Sequence, residues 1–270
     1  MYQLLSNGIT NHKIKKNIKK GYLTFSLNLA HSNLSGINVC PKAKKLVQID
    51  QNVQGPTKKL ADCALSCVGS GGMAAIYNTV LESRIKKTLA FFKDREYFLA
   101  TLAYEIQKAI KESTKKGLIP SFRLNAYSDI LWERFKIKDN KNIFELFPDT
   151  IFYDYSKIAN RKTPKNYQLT YSHYGNWSET KQAIQNGYNV AMVFEKVPAE
   201  ISINGYILQV VDGDISDLRV DEKINGQEVI VGLKFKAPPA TKKAELIEGI
   251  KNKFVIPEYV PNVTRANFIC

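Results

Sequence analysis

Histidine is scarce in this chain, which has three among 270 residues, and His173 is the only one beyond residue 31. A Ser-His-Asp hydrolase therefore has few ways of being built, and no G-x-S-x-G nucleophile elbow is present. The chain also lacks a phosphate-binding P-loop and a dinucleotide-binding glycine fingerprint. No apolar run approaches the length of a membrane span, and no secretory signal is recognisable. These absences predict a cytoplasmic protein that does not contact a membrane.

Cysteine is scarce as well, but three of the four cysteines fall in one segment punctuated by glycine and proline. Cys40, Cys63 and Cys67 have the spacing C-x22-C-x3-C, and Cys270 is the last residue. In a reducing cytoplasm, clustered thiols indicate metal or redox chemistry sooner than structural disulfides. Three thiolates suit a thiophilic metal or an iron–sulfur cluster. The spacing therefore predicts a metal centre on these three residues.

The identity of that centre has alternatives. A [4Fe–4S] cluster held by three thiolates keeps one iron open for a ligand. Zinc normally takes four protein ligands, and His31 or Cys270 could supply the fourth. Cys63 and Cys67 could instead be small buried hydrophobic residues on one helical face. Their spacing equals the first gap of the radical S-adenosylmethionine signature, but the next cysteine of that signature is absent, and Cys40 would have to replace it.

The charge balance is strongly basic. The formal net charge is +14, and lysine-rich runs occur at Lys13–Lys20, Lys111–Lys116 and Lys242–Lys253. Such a balance favours nucleic acid or another polyanion as a partner. The alternative is that these lysines only solvate helix faces, because no nucleic-acid-reading motif accompanies them.

Apolar periodicity predicts alternating strands and helices, which are typical of parallel βαβ units. Asp94 is a good N-cap for a helix that ends before Gly117, and Ser178 is another N-cap. We expect a single α/β domain over 1–270, a partial or distorted (β/α) barrel of TIM type, with an open doubly wound sheet as the alternative. A cysteine loop occupies 30–70, after the first strand, and a basic extension occupies 236–270. The predicted strands are Tyr22–Leu29, Ile119–Asn125, Thr150–Tyr155, Tyr167–Ser172, Asn189–Phe194, Tyr206–Val211 and Glu228–Phe235.

Polar residues gather where the predicted strands end, which is where parallel α/β folds place their chemistry. The candidates for catalysis are Arg123, Asn125, Asp129, Asp154, Lys157, Asp212, Asp214 and Arg219. Each also has a structural interpretation: Arg123 could pair with Asp129 or Asp154, and Asp212-Gly213-Asp214 is a good tight turn that could otherwise hold a hard cation.

Several blocks of the sequence resemble an uncharacterised phage and prophage protein family over residues 20–235. The blocks are NLSGINVCPKA, CALSC, RIKKTLAFFKDREYFLATL, RLNAYSDILWE, FYDYSKIANR, VVDGDISDLR and VIVGLK. The resemblance implies a virus-encoded, barrel-like iron–sulfur protein of the host cytoplasm, distantly similar to radical S-adenosylmethionine proteins. It implies Cys40, Cys63 and Cys67 as ligands, and it adds Ser128 and Asp217 to the motif positions of unassigned role.

Three functional hypotheses follow. The first is a [4Fe–4S] protein with an open iron that faces a small molecule, an electron-transfer partner or S-adenosylmethionine. The second is a basic viral protein that binds nucleic acid or a host factor around a structural zinc. The third is an enzyme that acts on a nucleotide-like or phosphorylated substrate through Arg123, Lys157 and Arg219.

Overall fold

The structure is a computed structural model that describes residues 3–9, 12–42, 78–203, 205–220, 222–236 and 242–258. Two compact units divide the chain, Met1–Phe152 and Tyr153–Cys270. Both combine helices with strands, so the α/β class is confirmed. The single domain over 1–270 stays a prediction.

The described residues of the first unit form three strands and the beginning of a fourth. Its elements are β1 (Leu5–Asn7), α1 (His12–Lys15), a 3-10 helix (Lys16–Lys20), β2 (Tyr22–Leu27), α2 (Ser32–Ser35), α3 (Asn78–Lys93), α4 (Arg95–Lys115), β3 (Ile119–Arg123), a 3-10 helix (Trp132–Arg134), α5 (Ile143–Leu146) and the start of β4 (Ile151–Ser156).

Strands β2, β3 and β4 of this unit are parallel neighbours, and β1 adds to β2 in the antiparallel sense. One face of these strands carries aromatic rings. The Phe122 ring lies 5.5 Å from that of Phe25 and 5.4 Å from that of Phe152, centroid to centroid. All three side chains are buried, so this row of rings forms part of the hydrophobic core.

The ends of α4 agree with the sequence prediction. The Asp94 carboxylate accepts a hydrogen bond from the Tyr97 N–H at 3.0 Å, which satisfies one of the free donors at the start of the helix. At the other end Gly117 has φ +65°, a left-handed conformation that favours glycine. The chain then enters β3.

In the second unit, the part of the chain that the structure describes forms the rest of β4 and six further strands. Its other elements are β5 (Tyr167–Ser172), α6 (Trp177–Gln185), β6 (Asn189–Phe194), β7 (Glu200–Ile203), β8 (Tyr206–Asp212), β9 (Ile230–Lys234), α7 (Lys242–Lys251) and β10 (Val255–Ile256).

The strands of the second unit follow the order β4-β5-β6-β9-β8-β7. Strands β5, β6, β9 and β8 are parallel, β7 and β8 form an antiparallel hairpin, and β10 pairs with the end of β6. The buried core includes Tyr171, Val190, Met192, Phe194 and Ile230. Among the described strands of the first unit β1 pairs with β2 alone, and among those of the second unit β7 pairs with β8 alone. The described pairings of each unit, taken by itself, do not form a closed barrel.

One predicted helix start is wrong by two residues. Helix α6 takes its N-cap from Asn176, whose Oδ1 accepts from the Glu179 N–H at 3.1 Å, and not from Ser178. Asparagine and serine cap equally well, so local propensity leaves both open. Trp177 is the first residue of the helix, and its ring centroid lies 4.6 Å from that of the His173 ring.

Candidate cysteine site and polar strand ends

The carboxyl ends of β2 and β3 lie at one edge of the first unit, because the two strands are parallel with Ser26 opposite Arg123. The chain that leaves β2 reaches Cys40, which is partly exposed. Its thiol donates a 3.9 Å hydrogen bond to the Tyr127 carbonyl oxygen, in the segment that follows β3. The thiol of Cys40 is therefore held at the edge where chemistry is expected.

Backbone hydrogen bonds hold the same contact. The Asp129 N–H donates to the Val39 carbonyl oxygen at 2.9 Å, and the Cys40 N–H donates to Asn38 Oδ1 at 2.9 Å. The segment around Cys40 is thus attached to the segment 127–129, although 87 positions separate Cys40 from Tyr127.

Arg84 contacts the residue that accepts from the Cys40 thiol, and its charge also acts on His31. The Arg84 guanidinium on α3 lies 4.0 Å from the centroid of the Tyr127 ring, so Arg84 and Cys40 contact the same residue. Burial, together with the charge of Arg84, lowers the pKa of His31. His31 is therefore neutral at pH 7, the form that ligates metals. Its Nε2 is buried and makes no hydrogen bond within the described part of the chain.

The other two predicted ligands, Cys63 and Cys67, lie outside the described residues, as does Cys270. Over the ranges that are described, no three His, Cys, Asp or Glu side chains cluster in a way that could hold a metal ion. The described residues therefore supply one thiol and one imidazole at this edge, and the metal centre stays a prediction.

Asn125 is placed at the centre of the segment that follows β3. Its Oδ1 accepts from Ser128 Oγ at 2.8 Å, from the Ile130 N–H at 2.9 Å and from Trp132 Nε1 at 3.1 Å, while its Nδ2 donates to the Ile130 carbonyl oxygen at 2.9 Å. These bonds shape the segment that receives Cys40. Arg123 and Asp129 are buried beside it.

In the second unit, Asp154 lies in a buried polar group. The Tyr167 hydroxyl donates to Asp154 Oδ2 at 3.0 Å, and Arg161 Nη2 donates to the same hydroxyl at 3.3 Å. The Arg161 guanidinium also lies 5.2 Å from the centroid of the Tyr167 ring. Asp154 is 1% exposed, and its carboxylate is therefore stabilised by a donor rather than by water.

Lys157 follows the end of β4, and its Nζ donates to Ser172 Oγ at the end of β5 at 3.1 Å. The same ammonium lies 5.7 Å from the centroid of the Tyr174 ring. The structure thus brings together the polar ends of β4 and β5, as their adjacency in a sheet predicts.

Arg219 has an extensively bonded guanidinium. Its Nε donates to the Tyr155 hydroxyl at 3.3 Å, its Nη1 donates to both carboxylate oxygens of Glu222 at 3.0 Å, and its Nη2 donates to the Ser216 carbonyl oxygen at 2.5 Å. The nearby Tyr155 and Glu222 raise the pKa of Arg219 against the opposing effect of burial. These bonds attach Arg219 to Tyr155, Ser216 and Glu222.

Asp217 and the Asp-Gly-Asp turn complete the candidates in this unit. The Tyr153 hydroxyl donates to Asp217 Oδ1 at 3.3 Å. The Asp214 N–H donates to Asp212 Oδ1 at 2.8 Å, so the predicted tight turn is present. Asp214 also accepts from Lys236 Nζ at 2.6 Å, which gives its carboxylate a local cationic partner.

His173 is almost fully buried at the end of β5. Its Nδ1 lies 2.8 Å from Thr180 Oγ1, and its Nε2 lies 3.0 Å from the Lys253 carbonyl oxygen. Burial lowers the pKa of His173 to about 4, more than the Lys253 carbonyl raises it. At neutral pH this ring is uncharged and joins β5, α6 and the segment before β10.

Sequence reasoning did not select Arg84, Tyr127 or Arg161. Arg84 belongs to the buried face of α3 with Thr88 and is 8% exposed. A buried arginine on the apolar side of a helix is the signal that could have found it, because such a charge needs a partner.

The fold defines a mixed α/β protein whose described strands end in polar residues, with Cys40 in its first unit. Residues 3–249 match the family described as Gene product 88, and the chain belongs to this family. It is a phage-type family, as the resemblance implied. No curated protein and no solved structure matches the chain. Within the residues that the structure covers, no helix has both the length and the apolar character to cross a membrane.

Proposed function

We propose that this protein binds a [4Fe–4S] cluster through Cys40, Cys63 and Cys67, at the carboxyl edge of β2 and β3. Three protein ligands leave one iron open. A small ligand, water or S-adenosylmethionine binds there, and the protein serves a redox or radical-type reaction with a small-molecule or electron-transfer partner in the host cytoplasm.

The single observation that carries the proposal is the placement of Cys40. Its thiol is partly exposed, and it donates a hydrogen bond to the Tyr127 carbonyl oxygen at an edge where parallel strands end. A thiol at such an edge is positioned for ligation, whereas a cysteine that only fills the core would be buried among aliphatic side chains. The sulfur atom of Cys40 is therefore a suitable ligand for an iron of the cluster.

The charges near Cys40 support the same proposal. The Arg84 guanidinium contacts the ring of Tyr127, the residue whose carbonyl oxygen accepts from the thiol. A nearby cation stabilises a thiolate and the negative charge of a thiolate-ligated cluster. His31, neutral for the reasons above, is a further nitrogen donor from the same edge, and it is the fourth ligand of the zinc alternative.

Anaerobic reconstitution with iron and sulfide tests the proposal. We expect bound iron, visible charge-transfer absorbance and a reduced-state EPR signal in the wild type. Cys40→Ala, Cys63→Ala and Cys67→Ala should each lose the iron, and Cys270→Ala is the matched control that should retain it. Stoichiometric zinc without iron, or iron retained in Cys63→Ala, would contradict the proposal.

The net charge of +14 favours a second candidate, a viral protein that binds nucleic acid or a host factor around a structural zinc. Affinity for DNA or RNA that falls steeply with salt supports it, because phosphate contacts release counterions. If the protein retains zinc in the presence of a chelator and still binds nucleic acid, this candidate is distinguished from the cluster protein.

The (β/α)-barrel form of the α/β fold is also part of the proposal. We infer that the parallel strands belong to a partial or distorted (β/α) barrel, because helices alternate with parallel strands in both units. A crystal structure that includes residues 43–77 tests it, and an open doubly wound sheet would overturn it.

A further inference from the structure

Helix α4 in the first unit has one face that the core does not use. Spacings of alternately four and three residues place six side chains on this face: Tyr97, Thr101, Tyr104, Lys108, Lys111 and Lys115. The two tyrosines are 55% and 64% exposed, and the three lysines are exposed. We call this set the tyrosine–lysine face.

The opposite side of α4 is a conventional core face that buries Phe98, Leu102 and Ile106. Burial there accounts for the stability of the helix, so the two exposed tyrosines are not needed for packing. Exposed aromatic rings on a charged helix face indicate a binding surface more than a scattered aliphatic residue does.

The charge on this face has one sign. Helix α4 contains three acidic residues, Glu96, Glu105 and Glu112. Glu105 accepts from the N–H groups of Leu4 and Leu5, and Glu112 accepts from Lys116 and Asn7, so both carboxylates serve contacts away from the tyrosine–lysine face. Glu96 also lies off this face, because one residue along a helix corresponds to a rotation of about 100°. The face itself combines two aromatic rings with three positive charges and no acid.

We propose that the tyrosine–lysine face binds single-stranded nucleic acid, with bases stacked on Tyr97 and Tyr104 and phosphates bound by Lys108, Lys111 and Lys115. The residues span about 27 Å of helix at 1.5 Å per residue, which accommodates several nucleotides. Stacking on a side chain requires unpaired bases, since those of a duplex already stack on each other. The proposal does not depend on the cluster.

Charge complementarity selects this occupant over a membrane. A helix that lies on a lipid surface inserts aliphatic side chains, phenylalanine or tryptophan, whereas this face has tyrosine and threonine beside its lysines. The lysines also agree in sign with the net charge of +14, which draws a polyanion toward the whole protein.

Fluorescence anisotropy on the full chain tests the proposal, with labelled oligothymidine and a duplex of equal length as probes. Tyr97→Ala with Tyr104→Ala should weaken single-strand binding by about 5- to 150-fold per lost stack, the equivalent of about 1–3 kcal/mol, and should leave duplex binding unchanged. Tyr206→Ala, at a tyrosine that is 55% exposed in the second unit, is the matched control and should have no effect.

The salt dependence of binding tests the three lysines separately. Replacing Lys108, Lys111 and Lys115 by glutamine should reduce the slope of log K against log salt by about 2, at about 0.7 per phosphate contact on a single strand. The same change at Lys242, Lys243 and Lys251, exposed in α7, is the control and should leave the slope unchanged.

Four outcomes would overturn the proposal. They are absence of oligothymidine binding, equal losses in the control variants, a tyrosine variant that binds as the wild type does, and a dimer that the tyrosine changes dissociate. The last would assign the face to a second copy of the chain. Circular dichroism of each variant separates a binding defect from loss of the helix.

Discussion

Protonation of His173 should destabilise the second unit as the pH falls. The ring is 2% exposed, and burial lowers its pKa to about 4 from the ordinary value of 6.5. The folded protein therefore binds this proton less readily than the unfolded chain does. The stabilisation is complete above pH 6.5, is lost progressively between 6.5 and about 4, and changes no further below that range.

The magnitude follows from the difference between the two pKa values. A difference of about 2.5 pKa units, at 1.36 kcal/mol for each unit, corresponds to about 3 kcal/mol over the full pH range. About 2 kcal/mol of this stabilisation is lost by pH 5. A loss of this size is a large fraction of the free energy of unfolding of an ordinary domain.

Urea denaturation of the wild type and His173→Gln between pH 8 and pH 4.5 measures the effect. The wild type should lose about 2 kcal/mol more than the variant between pH 7.5 and pH 5, because glutamine does not titrate. NMR titration of the histidine rings gives the native pKa directly. A ring pKa near 6.5, or equal losses in the two proteins, would refute the reasoning.

Three stability predictions follow from other contacts. Asn125→Ala removes an amide with four hydrogen bonds and should cost about 3 kcal/mol in urea denaturation, whereas Asn160→Ala at an exposed turn should cost much less. Gly175→Ala should cost at least about 2 kcal/mol, since φ is +99° and a Cβ would lie 2.5 Å from the Asn252 carbonyl oxygen. Arg219→Lys should lower the thermal midpoint through a loss of about 2 kcal/mol, because lysine lacks the planar fork that bonds both oxygens of Glu222; an unchanged midpoint would contradict it.

Local signals predicted the longer strands and the start of α4. The bounds of β5 and β6 agree with the sequence prediction, and Asp94 caps α4 as predicted. The alternation of apolar and polar residues along a strand and the capping of a helix both depend on residues that are near in sequence. They can therefore be recognised without knowledge of the fold. The short hairpin strand β7 escaped prediction, because four residues carry too little periodicity.

The candidate site was predictable only in its position. Polar residues do follow the strands, but the sequence could not show that Asn125 turns its amide inward onto Ile130, or that Arg219 is bound by Glu222 and by backbone carbonyls. A polar residue at a strand end can serve a ligand or the loop itself. The choice depends on which backbone groups the loop leaves unsatisfied.

The sequence by itself determined the α/β class, the positions of the longer strands, and the order of thiol and basic residues along the chain. Tertiary structure alone decided that Cys40 meets Tyr127, and that the Lys253 carbonyl meets a histidine 80 positions earlier. The physical reason is that secondary structure follows from near neighbours, whereas burial, and the pKa values that depend on it, are set by distant segments that exclude water together.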